Sequence, residues 1–300
     1  MAGLSRSLAS PRFKPNDRDR QLHQLARRAR EPTDEQAAYM RALRMTVIAQ
    51  WRELALRALH RVDASHWARV DTGDGHSVEV SDDDLLAYEL KRSFGSLEVE
   101  FGRVAQSEET RRVVQNAAFA TDRFSMASQH RLIQASLEAS LAKHAIKGFV
   151  PALNVFEDNP ALAHARDVFT DKNVKLITKL SHEASSQVSE VVLQGIQSGR
   201  RAPSIAQDIM GRLDVAESRA NLIARDQVLK FNGSLGQTRQ TAAGITSFTW
   251  YTSLDERVRP AHRAQHGLVF AWSNPPVVDG EQATPGSPVQ CRCIALPFFG

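Results

Sequence analysis

In the last fifty residues of this 300-residue chain, five side chains stand out as candidate metal ligands: Asp255, His262, His266, Cys291 and Cys293. His262 and His266 are four apart, so on a helix both imidazoles project from one face, the geometry of a two-toothed helical metal site. Cys291 and Cys293 flank Arg292, and on an extended strand both thiols face the same way. Their Cα atoms then stand about 6.5 to 7 Å apart, at or beyond the reach of a disulfide. Two thiols that cannot easily join each other can still meet at a third atom. The inference is a tetrahedral Cys2His2 zinc site of structural type, with Asp255 as a substitute ligand or as a partner behind one.

The C-x-C spacing, and the 24 residues between His266 and Cys291, depart from the usual C-x2-C pattern. The same residues also read without a metal, as small buried thiols, histidines at a helix end, and Arg292 in an ion pair. The string His262-Arg263-Ala264-Gln265-His266 lacks the glutamate beside the first histidine that serves zinc hydrolases as general base. No Ser-His-Asp order and no phosphate-cradling glycine loop stands out elsewhere, so no catalytic residue is assigned.

The surrounding elements follow from periodicity and breakers. From Pro32, with Thr33 or Asp34 as N-cap, Met40, Leu43, Val47, Trp51, Leu54, Ala58 and Val62 recur at helical spacing, and no Gly or Pro intervenes before Gly73. Asp71–His76 reads as a glycine turn. Short helices are expected at 82–92 and 97–106. A long helix rich in Ala and Ser follows from Ser107 to about Ile146, its small residues suited to close helix packing, and another runs from Pro160 to about Gln197. After Pro203 the pattern predicts a short helix from Ser204 to Leu213 and a second one loosened by Gly233 and Gly236 and stopped at Gly244. Then come a strand within Ile245–Ser253, a short helix around His262, a strand over Leu268–Trp272, a proline-rich loop from Ser273 to Pro288, and a last strand from Val289 to Leu296. The expected fold class is mainly α with a small C-terminal α+β module: long amphipathic helices followed by a compact domain of helix and short sheet.

Charge is unevenly placed. The chain sums to +4, yet residues 1–30 carry Arg6, Arg12, Lys14, Arg18, Arg20, Arg27, Arg28 and Arg30 against Asp17 and Asp19, so the rest is slightly acidic. A basic arm of this kind suits non-specific contact with double-stranded DNA or with an acidic protein surface, and equally a solvated leader. The longest charge-free run, between Arg263 and Asp279, is too short to span a membrane and contains Pro275 and Pro276. No membrane partner is expected. Three parts result: a basic N-terminal arm (1–30), a helical assembly region (31–200) and an α+β module (201–300).

The module carries a recognisable pattern. Arg219-Ala220, Ile223-Ala224-Arg225, Asn232, Gly244, the run from Trp250 through Asp255, Arg257, Val258, Arg259, His262, His266 and Gly267, then Pro285-Gly286, Cys291-Arg292-Cys293 and Pro297 resemble the phage Mu F-like head morphogenesis family of minor head proteins. Many relatives carry C-x-x-C where this sequence has Asp255 to Val258, which leaves a mixed Asp/His/Cys set here. The resemblance implies a component of a tailed-phage head. Such a protein resides in the virion interior, and in the host cytoplasm during assembly. It acts with the portal protein and with the major capsid or scaffolding protein in head assembly and DNA packaging. A metal-dependent hydrolase or nuclease used in packaging is the alternative.

Overall fold

The computed structural model describes residues 17–26, 31–70, 92–141, 159–198, 200 and 202–299. Arg6, Arg12, Lys14, Arg27, Arg28, Arg30, the Asp71–His76 turn and nearly all of the helix expected at 82–92 lie outside them. The chain is mainly α with a small C-terminal α+β module. Its elements are α1 (Asp17–Ala26), α2 (Thr33–Leu43), a π-helical turn (Arg44–Ile48), α3 (Ala49–Val70), α4 (Leu97–Ala105), α5 (Glu108–Leu141), α6 (Pro160–Gln197), α7 (Ala202–Ala242), β1 (Ser247–Tyr251), α8 (Pro260–Arg263), β2 (Val269–Ala271), β3 (Val277–Val278), β4 (Glu281–Gln282) and β5 (Ile294–Phe298).

Local chemistry accounts for most of these boundaries. The Ser107 hydroxyl accepts the Thr110 N–H at 3.1 Å and starts α5, and Asn159 does the same for Ala161 at 2.9 Å, with Pro160 at the first helical position of α6. From Thr33 to Val70 the chain is one helical run interrupted by the π turn. Tyr39, Leu43, Val47 and Trp51 are buried at steps of four, which drift around a 3.6-residue helix. The wider π turn takes up that drift, so that Ala55, Ala58 and Leu59 return to the same face. Trp51 stacks on Phe101 of α4 with centroids 5.2 Å apart, and its indole N–H donates to the Phe101 carbonyl.

α2 to α7 share one apolar core. α5 contributes a polar seam to the bundle: Asp122 pairs with Arg166 of α6 and with Arg239 of α7, whose guanidinium also donates to the Ser125 hydroxyl at 2.9 Å. Arg239 is 2% exposed. Burial lowers its pKa, while the hydrogen bond and charge of Asp122 work against that fall.

α7 differs from the sequence expectation. It is a single helix through 213–216, where a break was expected, because the buried stripe Ile205, Ile209, Leu213, Ala216, Ala220, Ala224 and Val228 continues without a breaker and packs on α6. Gly233 and Gly236 do not loosen it either. A Cβ on Gly233 would lie 2.9 Å from the Pro285 carbonyl oxygen, and one on Gly236 would lie 2.8 Å from the Gln129 amide, so both glycines are points of close approach.

The module is built on an antiparallel sheet of order β2-β1-β5, with Thr249 paired to Val269 on one side and to Leu296 on the other. β1 is buried on both faces. Phe248 and Trp250 join Trp272, Val278 and Ala283, while Tyr251 joins Leu132 and Leu296. The expected proline-rich loop contains the β3–β4 hairpin. The expected basic arm contains α1, with Arg18 and Arg20 in it. α1 packs Leu22, Leu25 and Ala26 on Leu132, Tyr251 and Leu296, and His23 Nδ1 lies 2.7 Å from the Tyr251 hydroxyl.

Candidate metal centre

After β1 the chain turns through Leu254, at a φ of 56°, and reaches α8. Pro260 opens α8 with its preset φ and no N–H to satisfy. The helix lasts four residues, and the following turn closes at Gly267, with a φ of 77° and an N–H donated to the Trp250 carbonyl at 2.8 Å. That brevity separates the two histidines expected on one helical face. His262 lies within α8 and is buried edge-on against Trp250. His266 lies beyond the helix end, where its Nδ1 accepts the Thr252 N–H at 3.1 Å and its ring packs on Tyr251.

Cys291 and Cys293 do not sit on a strand as expected, since β5 begins only at Ile294. Gln290 takes a φ of 53° and bends the chain just before them. Its N–H donates to Asp226 at 2.7 Å and its side-chain amide to the Leu222 carbonyl at 3.1 Å, so α7 holds the loop. The same-side placement of the thiols comes from this loop: the Cys293 N–H approaches Cys291 Sγ at 3.4 Å.

Three donors converge. His262 Nδ1 lies 3.4 Å from Cys293 Sγ and 3.5 Å from Cys291 Sγ, and all three ligand atoms lie within 4.8 Å of one another. The Cys291 thiol is lowered to about 6 by a hydrogen bond from Cys293, against the opposing effect of burial, with help from the Cys293 and Gly286 backbone and from the His262 charge. Cys293 is pushed up by its bond to Cys291, by burial and by the Cys291 charge, with Trp250 and Arg259 pulling the other way. The contact between the two thiols thus favours the anionic form on the Cys291 side, the form that binds a soft cation.

Asp255 is placed elsewhere. Its carboxylate accepts from Arg292 at 2.7 Å, from the Arg257 N–H at 3.0 Å and from the Ser253 hydroxyl at 3.2 Å. Burial raises its pKa, but the Arg292 hydrogen bond and charge, with the Arg257 N–H and the Ser253 hydroxyl, together outweigh that and hold the carboxyl below its usual range. Arg292 is therefore the ion-pair residue of the C-x-C segment. Of the five residues singled out from sequence, His262, Cys291 and Cys293 come together; His266 and Asp255 do not.

Two contributors were not found by sequence reasoning. Asp279 Oδ2 stands 3.5 Å from His262 Nε2, on the ring edge opposite the sulfurs. The Gly286 backbone helps to lower the Cys291 pKa. The first had a legible signal: Val-Val-Asp-Gly-Glu-Gln from Val277 is a hairpin string with a favoured turn pair. A recess of about 30 Å³, lined by Ser253, Arg257, Arg259 and Gln290, adjoins the three donors and has room for a water-sized ligand. One nitrogen and two sulfurs at this spacing suit a tetrahedral, thiophilic cation.

Comparisons with known proteins bear on this part of the chain. Residues 186–296 match the family described as phage Mu protein F like protein. An uncharacterized protein of Haemophilus influenzae is 33% identical over 142 residues, covering 47% of this chain and 31% of that protein. An uncharacterized protein of Methanocaldococcus jannaschii is 32% identical over 114 residues, covering 38% of this chain and 17% of that protein. The matched stretches thus span a third or less of these relatives. No solved structure matches. The matched segment, residues 186–296, carries α7, most of the sheet and the three converging donors, and over it the chain is similar to the phage Mu protein F-like family.

Proposed function

We propose that this chain is a structural minor head protein of a tailed phage. It acts in head assembly at the portal and inner capsid, and contacts packaged DNA without sequence preference. The observation that carries this reading is the family match over residues 186–296. It is supported by the long helical bundle, which offers surface to other helical proteins, and by the eight cations of residues 1–30. The partners are the portal protein and the major capsid or scaffolding protein, and the protein ends in the head interior. Co-purification tests the assignment: the tagged chain expressed with its portal should elute with the portal ring, and quantitative separation at low salt would refute it. For DNA, replacing Arg6, Arg12 and Lys14 by glutamine should lower the salt slope of duplex binding by about 0.9 for each phosphate no longer neutralised; an unchanged slope would exclude the arm. Substitution is the better test than deletion of residues 1–30, since deletion also removes α1 from its apolar seat.

A structural zinc ion held by His262, Cys291 and Cys293 belongs to the same reading, because the three donors and the lowered Cys291 pKa suit it. Bound there, zinc ties α8 to the entry of β5. Protein expressed without added metal should hold close to one zinc per chain and lose it on Cys293→Ser; a clearly sub-stoichiometric content would sink the idea. The alternative is a metal-dependent hydrolase or nuclease. One observation favours it: three protein donors beside a water-sized recess is an arrangement that leaves a coordination position open. It predicts metal-dependent DNA cleavage abolished by His262→Ala. The carboxylate that meets the donors, Asp279, stands at Nε2 of His262, away from the Nδ1 edge that faces the sulfurs, so the structural reading is preferred.

A further inference from the structure

A neutral imidazole carries one N–H, and the group that holds this proton decides which nitrogen is left for a metal. In His262 the two ring edges have different surroundings. Nδ1 faces both sulfurs, at 3.4 and 3.5 Å. Nε2 has no hydrogen-bond partner, and the side chain is 3% exposed, so solvent has little access to it. What it does face is Asp279 Oδ2, at 3.5 Å.

Asp279 is held at that place by the fold. It sits at the tip of the β3–β4 hairpin, with a φ of 54° followed by 88° at Gly280. Two successive positive φ values make the tight turn that Asp-Gly favours. Val278, the preceding residue, is buried with Trp250 and Trp272, which pins the hairpin against the same aromatic pair that backs the donors. Arg259, whose other guanidinium nitrogen donates to the Val289 carbonyl at 3.1 Å, lies 3.8 Å from the same carboxylate oxygen.

We propose that Asp279 is the positioning residue of the centre: its carboxylate accepts the Nε2 proton of His262 and so commits Nδ1 to the metal. This rests on the reading of His262, Cys291 and Cys293 as zinc ligands. It gives the β3–β4 hairpin a role, since the hairpin delivers the acceptor from the side opposite the thiolates. It also separates the two aspartates of the module: Asp255 anchors Arg292, and Asp279 orients the imidazole.

The test uses the full chain and zinc itself. Asp279→Gly removes the carboxylate while keeping a residue at ease with a positive φ; Asp279→Asn keeps a neutral acceptor in the same place. Zinc affinity, read by competition with a chelating dye, should fall by about 10- to 100-fold for Asp279→Gly, with a smaller loss for Asp279→Asn. Nitrogen NMR of the zinc-loaded wild type should show His262 protonated at Nε2 and metallated at Nδ1. The metal-free variants should melt with the metal-free wild type, which separates an effect on the metal from an effect on the hairpin. If Asp279→Gly does not fold, Asp279→Asn and the NMR assignment carry the test. An affinity for Asp279→Gly within about twofold of wild type, or zinc on Nε2, overturns the proposal while leaving the zinc reading in place. A wild type that takes up no zinc overturns both.

Discussion

Two glycines of α7 should respond in opposite directions to the same substitution. In a helix interior, Gly→Ala is worth about 0.8 to 1 kcal/mol of added stability through backbone entropy. At Gly211 a new methyl group would have no neighbour within 4 Å, so that gain should be realised in full. At Gly233 the methyl would lie 2.9 Å from the Pro285 carbonyl oxygen and 3.4 Å from the Gly286 Cα, both main-chain atoms that cannot swing aside. Forcing the loop away costs roughly 1 to 3 kcal/mol, the usual range for overpacking. The net expectation is a loss of about 1 kcal/mol for Gly233→Ala against a gain of nearly the same size for Gly211→Ala. At roughly 2 to 4 °C per kcal/mol for a chain of this size class, the two variants should melt on either side of wild type, several degrees apart. The Gly233 variant has a second signature, because the displaced loop includes Gly286, whose backbone helps to lower the Cys291 pKa. Zinc affinity should fall for Gly233→Ala and stay unchanged for Gly211→Ala. Thermal melts of metal-free protein and a chelator competition read the two effects separately. If Gly233→Ala raised the melting temperature as much as Gly211→Ala, the close packing of helix and loop at this point would be wrong.

Other perturbations test other parts of the fold. Asp122→Ala should cost about 3 to 5 kcal/mol by urea unfolding, since it strands the buried Arg239 guanidinium; Arg166→Ala should cost much less, because that side chain is 25% exposed. The Asp255 carboxyl is held below its usual range in the folded state, so its pair with Arg292 contributes fully above the unfolded-state pKa of about 3.9 and is lost as pH falls through the folded value. Asp255→Asn should therefore narrow its stability gap to wild type as urea melts move from pH 5 towards pH 2, and a constant gap would contradict the sign. Tyr251→Phe removes the hydroxyl that meets His23 and should loosen α1, seen as faster proteolysis between α1 and α2 with the bundle core intact.

Sequence alone determined the parts of this protein that depend on neighbours along the chain. The helices at Leu97–Ala105, Glu108–Leu141 and Pro160–Gln197 and the strand at Ser247–Tyr251 follow from apolar periodicity, Ser107 and Asn159 caps, and prolines at starts. His262, Cys291 and Cys293 stood out in the sequence by residue type, but together with His266 and Asp255, and residue type did not tell the three from the other two. Tertiary structure decided which donors meet. The cysteines were expected to align because they lay on a strand, but they align through a loop tethered to Asp226 of α7, 64 residues away in sequence. His266 was expected to share a helical face with His262, yet α8 ends after four residues and turns it towards Thr252. Asp255 is taken up by Arg292, and Asp279 holds the place behind the histidine. Spacing along the chain sets direction only as far as a regular element persists, and here each element at the site is five residues or fewer. Beyond that length the packing of α7 and the hairpin against the sheet sets the geometry.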